Sequence, residues 1–221
     1  MKGIIIVIIV TLALALSAQA APTLITNDSP LTGPGTTRAD IVFKTVLPAS
    51  LSMGKAEENS AQIFLERQNV LLTSDLAVVG GSIPAGARVN SYILHFDPVG
   101  SASSPVWEAR GTITFAEPLL GLIYATSNTA TYSLLTASDS IVGLGGAYYE
   151  SGTAHRKLEI PQETWEDLAT LPGNTVYVNV FTNSSMDEVR IITQVVPAPG
   201  ALLLGMLGTA LVGCLRRRRS L

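Results

Sequence analysis

A histidine followed closely by an aspartate is the pair of side chains in this chain that most readily suggests chemistry. His95 lies in the strand-like run Ser91–Phe96, and Asp97 follows two residues later, on the same face of an extended chain. A histidine beside a carboxylate can act as a general base or bind a metal ion. The alternative is a strand histidine that is hydrogen-bonded beside a turn, which the Asp97–Pro98 pair favours. His155 lies in a polar stretch that predicts a solvated loop.

Two pairs of neighbouring carboxylates could in principle serve acid–base catalysis. They are Glu57–Glu58 and Glu166–Asp167. The acid and the base of a hydrolase face each other across a substrate, which neighbours in sequence cannot do. Both pairs are therefore predicted to be exposed charge.

No motif in the sequence specifies a catalytic or cofactor site. The chain holds no G-x-S-x-G, H-E-x-x-H, P-loop or EF-hand loop, and its only thiol is Cys214, near the C-terminus. Calcium could use loop aspartates such as Asp97, Asp139 and Asp187, but their spacing matches no known ligand pattern. The sequence therefore predicts a protein that is not an enzyme, with no cofactor and no metal ion.

Four aromatic residues are the candidates for ligand binding. Trp107, Trp165, Tyr148 and Tyr149 would form a sugar-stacking platform if they gathered on one exposed face. A lectin-like module that binds extracellular polysaccharide is therefore the alternative function. Against it, aromatic residues are scarce, and tryptophan more often lies in a core.

Short runs of alternating apolar residues must position these side chains. Such runs, separated by Gly, Pro, Ser and Asn, predict an all-β fold, an antiparallel β-sandwich or jelly roll. The predicted strands are Ile41–Val46, Gln62–Val70 with its continuation to Val79, Ser91–Phe96, Gly111–Phe115, Leu120–Ala125, Val176–Phe181 and Glu188–Thr193.

Two segments of the middle region favour a helix instead. Ala56–Ala61 could begin a short helix. Pro161–Leu171 has an early proline, with Glu163, Glu166 and Asp167 in the turns that follow. We therefore predict a short helix or turn there, beside the sheet.

The first 20 residues have the composition of a secretory signal helix. Lys2 supplies a positive charge, Ile4–Leu16 is apolar apart from Thr11, and a small-residue end follows. The apolar run is too short to span a bilayer, and Ala18 and Ala20 match an A-x-A cleavage site. Signal peptidase is predicted to cut after Ala20, once a Sec-type translocon has engaged the chain.

The last 27 residues, 195–221, have three parts in a fixed order. Val196, Pro197, Ala198 and Pro199 come first, an apolar segment over Ala201–Leu215 follows, and Arg216, Arg217, Arg218 and Arg219 come last. Arginines beside an apolar segment stay on the cytoplasmic side. The segment is therefore predicted to be a transmembrane helix with residues 21–194 outside the membrane.

The charge of the middle region argues against two classes of partner. Five of the 14 basic residues lie in the two ends, so nine remain against all 17 acidic residues, a net charge of −8. This balance argues against binding of nucleic acid and of anionic lipid. The middle region has no cysteine, so its fold must be held by its core.

The order of proline motif, apolar helix and arginine cluster resembles the PEP-CTERM sorting tails that exosortases process. The match covers about 25 residues, and Ala198 occupies the position of the family's usual glutamate. The resemblance implies that an exosortase-like membrane protease cuts near Val196–Pro199. It further implies that the protein is anchored in the inner membrane before sorting and reaches the cell surface or the extracellular space afterwards.

Overall fold

The computed structural model describes residues 21–28, 36–99, 106–125, 129–145, 148–149, 156, 158, 167–182 and 186–195. They belong to one compact unit, Ala20–Val195. Among them are the strands β1 (Pro22–Asn27), β2 (Thr36–Lys44), β3 (Ser60–Leu71), β4 (Leu76–Val78), β5 (Gly81–Ile83), β6 (Arg88–Phe96), β7 (Val106–Phe115), β8 (Leu119–Tyr124), β9 (Asp167–Leu171), β10 (Thr175–Thr182) and β11 (Asp187–Gln194), and the helix α1 (Thr129–Ile141).

The strands confirm the predicted all-β class. Nine of them form one curled sheet in the order β8-β11-β6-β3-β2-β7-β10-β9, with β1 paired to β7, and β4 and β5 form a separate hairpin. Most pairings are antiparallel, but β2 is parallel both to β3 and to β7. A purely antiparallel sheet is therefore wrong for these two pairings. Because β1 already covers residues 111–115 of β7, β2 joins β7 at its other end and runs in the same direction as β7.

Strand β2 changes partners halfway along its length. Thr36–Ala39 pairs with β7, and Asp40–Lys44 pairs with β3. Where β2 changes partners, the side chain of Asn27 forms two hydrogen bonds with the backbone of Ile41. Oδ1 accepts from the N–H of Ile41 at 2.6 Å, and Nδ2 donates to the carbonyl of Ile41 at 3.3 Å. The amide of Asn27 thus takes the place of a strand partner.

The main hydrophobic core collects side chains from both halves of the curled sheet. Val176, Val178 and Val180 of β10 all lie in it, as the alternation of this strand predicts. From the other half come Leu94 of β6 and Ile191 of β11. One core therefore joins strands that are far apart in the sheet order.

The opposite face of β6 and β11 is also buried. Helix α1 and the β4–β5 hairpin cover part of it, where Leu135 and Val142 pack with Val89, Ile123 and Ile192 in a second cluster. A third cluster joins Leu51 and Tyr149 to Phe64 and Ile93. These strands are consequently buried on both faces, which is unusual for antiparallel strands.

Both helix predictions fail where the structure describes the residues. The segment 56–59 has no helical structure, and Ser60–Ala61 begins β3. In the second segment, residues 161–166 lie outside the described residues, and Asp167–Leu171 is strand β9, paired with β10. Backbone pairing with β10 overrides the helix-start chemistry there. Conversely, helix α1 was not predicted, because its Thr- and Ser-rich sequence has weak helix propensity.

Candidate functional site

Six ionisable side chains meet on the face of β6 and β11 that points away from the main core. We call it the covered face, because α1 and the β4–β5 hairpin cover part of it. Successive residues of a strand point to opposite faces, so Glu188 and Arg190 of β11 point away from the core that holds Val189 and Ile191. We call these six residues the buried ion cluster. They are Glu66 of β3, His95 of β6, Asp139 of α1, Arg156, Glu188 and Arg190.

Arg190 is completely buried at the centre of the cluster. Its Nε and Nη2 donate to the two carboxylate oxygens of Glu66, at 2.7 and 2.9 Å. Nη2 also donates to Asp139 at 3.0 Å, and Nη1 donates to Ser138 and to the carbonyl of Leu135. Burial by itself lowers the pKa of Arg190, but the Glu66 carboxylate raises it above the ordinary value. Arg190 therefore stays charged and ties α1 to two strands.

Arg156 forms the second centre of the cluster. Its Nη1 and Nη2 donate to the two oxygens of Asp139 at 2.6 and 3.1 Å, and its Nε donates to Glu188. Burial lowers its pKa, but Glu188 and Asp139 raise it above the ordinary value. The two parallel hydrogen bonds to Asp139 fix the orientation of this carboxylate against the guanidinium. Arg156 thereby links α1 to β11.

His95 completes the cluster through Glu188. Its Nδ1 lies 3.1 Å from Oε1 of Glu188, and because a carboxylate can only accept, Nδ1 is the donor. Burial would raise the pKa of Glu188, but the hydrogen bond from His95 and the charge of Arg156 hold it below its usual value. The other ring nitrogen of His95, Nε2, has no hydrogen-bond partner among the described residues.

Tyr149 packs against both arginines. The Cζ atoms of Arg156 and Arg190 lie 4.7 and 5.3 Å from its ring centroid, and its hydroxyl donates to Glu66. Burial, and then the Glu66 charge, raise the pKa of Tyr149 above its ordinary value. A Cβ at Gly143 would lie 2.6 Å from this hydroxyl and 2.9 Å from Nη2 of Arg190, so only glycine fits there.

The cluster is suited to holding structure together, not to catalysis. Each oxygen of its three carboxylates accepts at least one hydrogen bond. The side chains in its ion pairs are at most 5% exposed. A substrate in solvent cannot reach these groups, and every carboxylate oxygen of the cluster already accepts a hydrogen bond. The ion pairs of the cluster hold α1 and Arg156 against the sheet.

The structure does not pair His95 with Asp97, which favours the alternative of a hydrogen-bonded strand histidine beside a turn. His95 contacts Glu188 of the neighbouring strand β11. Asp97 accepts instead from the backbone N–H of Gly54 at 2.7 Å, which fixes the loop before β3. Cross-strand neighbours are closer than i and i+2 along one strand, so β11 supplies the partner.

The other carboxylates do not gather into a metal site. Glu57 is exposed as predicted, and Glu58 forms a half-exposed ion pair with Lys44 at 2.8 Å. The hydrogen bond from Lys44 lowers the pKa of Glu58. Asp97 and Asp139 lie in separate environments, and Asp187 is buried at the start of β11. In the described part of the chain, no three or more His, Cys, Asp or Glu side chains are arranged so that they could hold a metal ion.

The aromatic candidates for sugar binding are separated by the fold. Trp107 is partly buried against the main core. Tyr148 and Tyr149 belong to the third hydrophobic cluster, where Tyr149 is only 4% exposed. Trp165 lies outside the described residues. The three described aromatic residues therefore do not form one exposed platform.

The predicted processing residues and the predicted membrane stop lie outside the described residues. They are Ala18, Ala20, Val196–Pro199 and Arg216–Arg219. Within the described ranges, no helix is both long enough and apolar enough to cross a membrane.

The buried ion cluster itself was not predicted from the sequence. Glu188-Val189-Arg190-Ile191 alternates as a strand with one solvent face would. The opposite charges at Glu188 and Arg190 were the available signal, because they share one strand face. Comparisons with protein-family models, with curated proteins and with solved structures found no significant match to this chain.

Proposed function

We propose that this chain is an exported cell-surface or extracellular-matrix protein, without enzymatic activity, that is sorted through its PEP-CTERM-like tail. One observation carries the proposal. The compact unit Ala20–Val195 begins at the predicted signal-peptidase site and ends one residue before Val196, where the proline motif begins.

The agreement of these boundaries favours processing at both ends. The first strand begins at Pro22, and the last strand ends at Gln194. Cuts after Ala20 and within Val196–Pro199 would remove no strand from the sheet. Proline favours an extended backbone, so Pro197 and Pro199 would suit the motif to a protease cleft.

The buried ion cluster supports a structural role for the exported unit. The unit contains no cysteine, so no disulfide can hold α1 on the sheet. Ion pairs of Arg156 and Arg190 with carboxylates of α1, β3 and β11 supply that link instead. The side chains of the buried ion cluster are inaccessible to a substrate in solvent.

We further infer that the curled sheet forms a two-layer sandwich of the jelly-roll kind. The main core supports this inference, because it joins β7 and β10 to β3, β6 and β11. Strand β2, which pairs with both halves, would form the corner between the layers.

The proposal implies a series of partners. A Sec-type translocon and signal peptidase would act first, the inner membrane would hold the tail, and an exosortase-like protease would then cut it. Extracellular polysaccharide is a further candidate partner for the released unit, and a glycan array would test it.

Mass spectrometry of the mature protein from its native host tests the sorting proposal. We expect an N-terminus at Ala21 and a C-terminus between Val195 and Gly200. Mature protein that retains Arg216–Arg219 would contradict sorting and leave a permanent anchor. The double variant Pro197→Ala/Pro199→Ala should accumulate as precursor, whereas Pro172→Ala, in the β9–β10 turn, should be processed normally.

A further inference from the structure

Both ends of the compact unit leave from the same end of the sheet. Pro22, at the start of β1, pairs with Phe115, at the end of β7. The N–H of Gln194, the last residue of β11, donates to the carbonyl of Pro118 at 2.8 Å. Phe115 and Pro118 are three residues apart, so their Cα atoms are separated by at most about 11 Å. We call this end of the sheet, around Pro22, Phe115, Pro118 and Gln194, the terminal pole.

The chain beyond the terminal pole is short. The N–H of Val195 donates to the carbonyl of Arg88 at 3.0 Å, so the chain is held to the sheet up to this residue. The predicted membrane helix begins at Ala201, six residues later. Six fully extended residues span about 20 Å. An anchored tail would therefore hold the terminal pole close to the bilayer surface.

The terminal pole also exposes apolar side chains. Leu24 and Leu71 are 57% and 50% exposed, and Leu171 is 41% exposed. Their strand partners place them there, since Leu24 pairs with Thr114, Leu71 with Arg88, and Leu171 with Thr175. Exposed leucines are suited to a lipid interface because their side chains can insert, and beside Leu71 the charge of Arg88 can reach the headgroups.

A groove adjoins Leu171. It has a volume of about 530 Å³, and Leu119 and Leu120 of β8 form one side of it. Leu171, Gly173 and Asn174, at the turn between β9 and β10, form the other side. The groove therefore lies between the two edge strands of the sheet, beside the point where the chain leaves.

The opposite end of the sheet also combines exposed apolar side chains with charged ones. Met53 and Val99 are exposed there, in the loops that precede β3 and follow β6. These loops are tied together by the N–H of Glu58, which donates to the carbonyl of Asp97 at 3.0 Å. Neither chain end of the described unit leaves from this end, which makes it a natural control.

We propose that the terminal pole is a membrane-facing surface whose partner is the headgroup layer of a lipid bilayer. This inference rests on the proposed function, because it takes the tail as the membrane anchor. The exposed leucines and the groove beside β8 contact the bilayer while the tail is intact, and cleavage of the tail releases the surface.

Site-specific labelling of the full chain tests the proposal. The chain is purified from membranes of an exporting host, with Cys214→Ser, and reconstituted in vesicles of phosphatidylcholine, which carry no net charge. Single cysteines at the terminal pole (Leu71→Cys or Leu171→Cys) and at the opposite end (Met53→Cys or Val99→Cys) carry an environment-sensitive fluorophore. Quenching by lipids that are spin-labelled in the headgroup is then measured. We expect at least threefold stronger quenching at Leu71 and Leu171 than at Met53 and Val99.

Flotation of the vesicles separates failure of this inference from failure of the proposed function. Protein that does not float with the vesicles would contradict the anchor and hence the proposed function. Protein that floats but shows equal quenching at all four positions would overturn only the membrane-facing surface.

A longer linker distinguishes a true surface from a short tether. Ten Gly and Ser residues inserted after Val195 relax the tether, yet a surface with its own affinity for lipid should keep at least half of the quenching at Leu71 and Leu171. Loss of that quenching in protein that still floats would show that the linker alone held the pole near the bilayer, and would overturn the proposal.

Discussion

The two faces of β11 are equally buried but are built from opposite chemistry. Val189 and Ile191 point into the main core, among its apolar side chains. Glu188 and Arg190, on the other face, are just as inaccessible but belong to the buried ion cluster. Apolar packing tolerates many partners of similar size. An ion cluster requires every member, because a single charge left alone in a protein interior is costly. The covered face therefore specifies its structure more strictly than the core does.

Removal of Arg190 should have the largest effect. Arg190→Met keeps the length of the side chain but leaves Glu66 buried without its cation. We expect the free energy of unfolding to fall by about 4 kcal/mol, the cost of breaking a buried ion pair. Urea unfolding at pH 7 measures it. Arg88→Met, an exposed arginine on β6, is the matched control and should cost less than about 1 kcal/mol. Equal losses in the two variants would contradict the central role of Arg190.

Truncation of Ile191, beside Arg190 but in the main core, should lower the free energy of unfolding slightly less, and without any dependence on charge. Ile191→Ala removes a fully buried aliphatic side chain and should cost about 3 kcal/mol. Because no charge is involved, the loss should be the same at pH 7 and at pH 5, and in low and high salt. A strong dependence on pH would show that the two faces of β11 are not independent.

Glu188 should give the cluster a pH dependence. The pKa of Glu188 is lowered in the folded protein, so Glu188 binds a proton more readily when the chain is unfolded. Its contribution to the free energy of unfolding is therefore fully present above the unfolded pKa of about 4.3. That contribution is lost as the pH falls through the lower folded pKa. Glu188→Gln should therefore cost about 2 kcal/mol at pH 7, and progressively less below pH 4.

Urea unfolding from pH 7 to pH 3 checks this expectation. Glu57→Gln, at an exposed position, is the control and should change the stability little at any pH. An equal cost of Glu188→Gln at pH 7 and pH 3 would mean that its charge is unimportant.

The exposed ion pair should have the smallest effect. Lys44 and Glu58 are separated by 2.8 Å, as closely as the buried pairs, but their side chains are 36% and 43% exposed. Lys44→Ala should cost about 0.5 kcal/mol or less, and 0.5 M salt should remove the difference. A loss close to that of Arg190→Met would show that distance, not burial, sets the strength of these pairs.

The main core was largely predictable from the sequence, whereas the covered face was not. Val176, Val178 and Val180 alternate clearly, and this local pattern alone gives both the strand and its inward side. The alternation of β11 predicted its strand equally well. It could not show that Glu188 and Arg190 are buried, because that depends on α1, whose sequence gives no strong helix signal. Their partners Asp139 and Arg156 lie tens of residues away, and only the tertiary structure brings them together.

The strand β9 shows the same limit in a simpler form. Asp167 follows Glu163 and Glu166 in what reads as the first turns of a helix, but pairing with β10 decides the structure of Asp167–Leu171. Local propensity is worth a few tenths of a kcal/mol per residue, and a set of backbone hydrogen bonds to a neighbouring strand outweighs it.

The amide of Asn27 has a consequence for contacts between copies of the protein. Where β2 leaves β7 for β3, the backbone of Ile41 would offer a donor and an acceptor to any passing chain, and open strand edges of this kind seed aggregation. Asn27 occupies both groups. It does so without a proline or a charge, so the strand stays straight enough to serve both of its neighbours. Asn27 thereby removes this position from the strand edges to which another copy of the protein could pair.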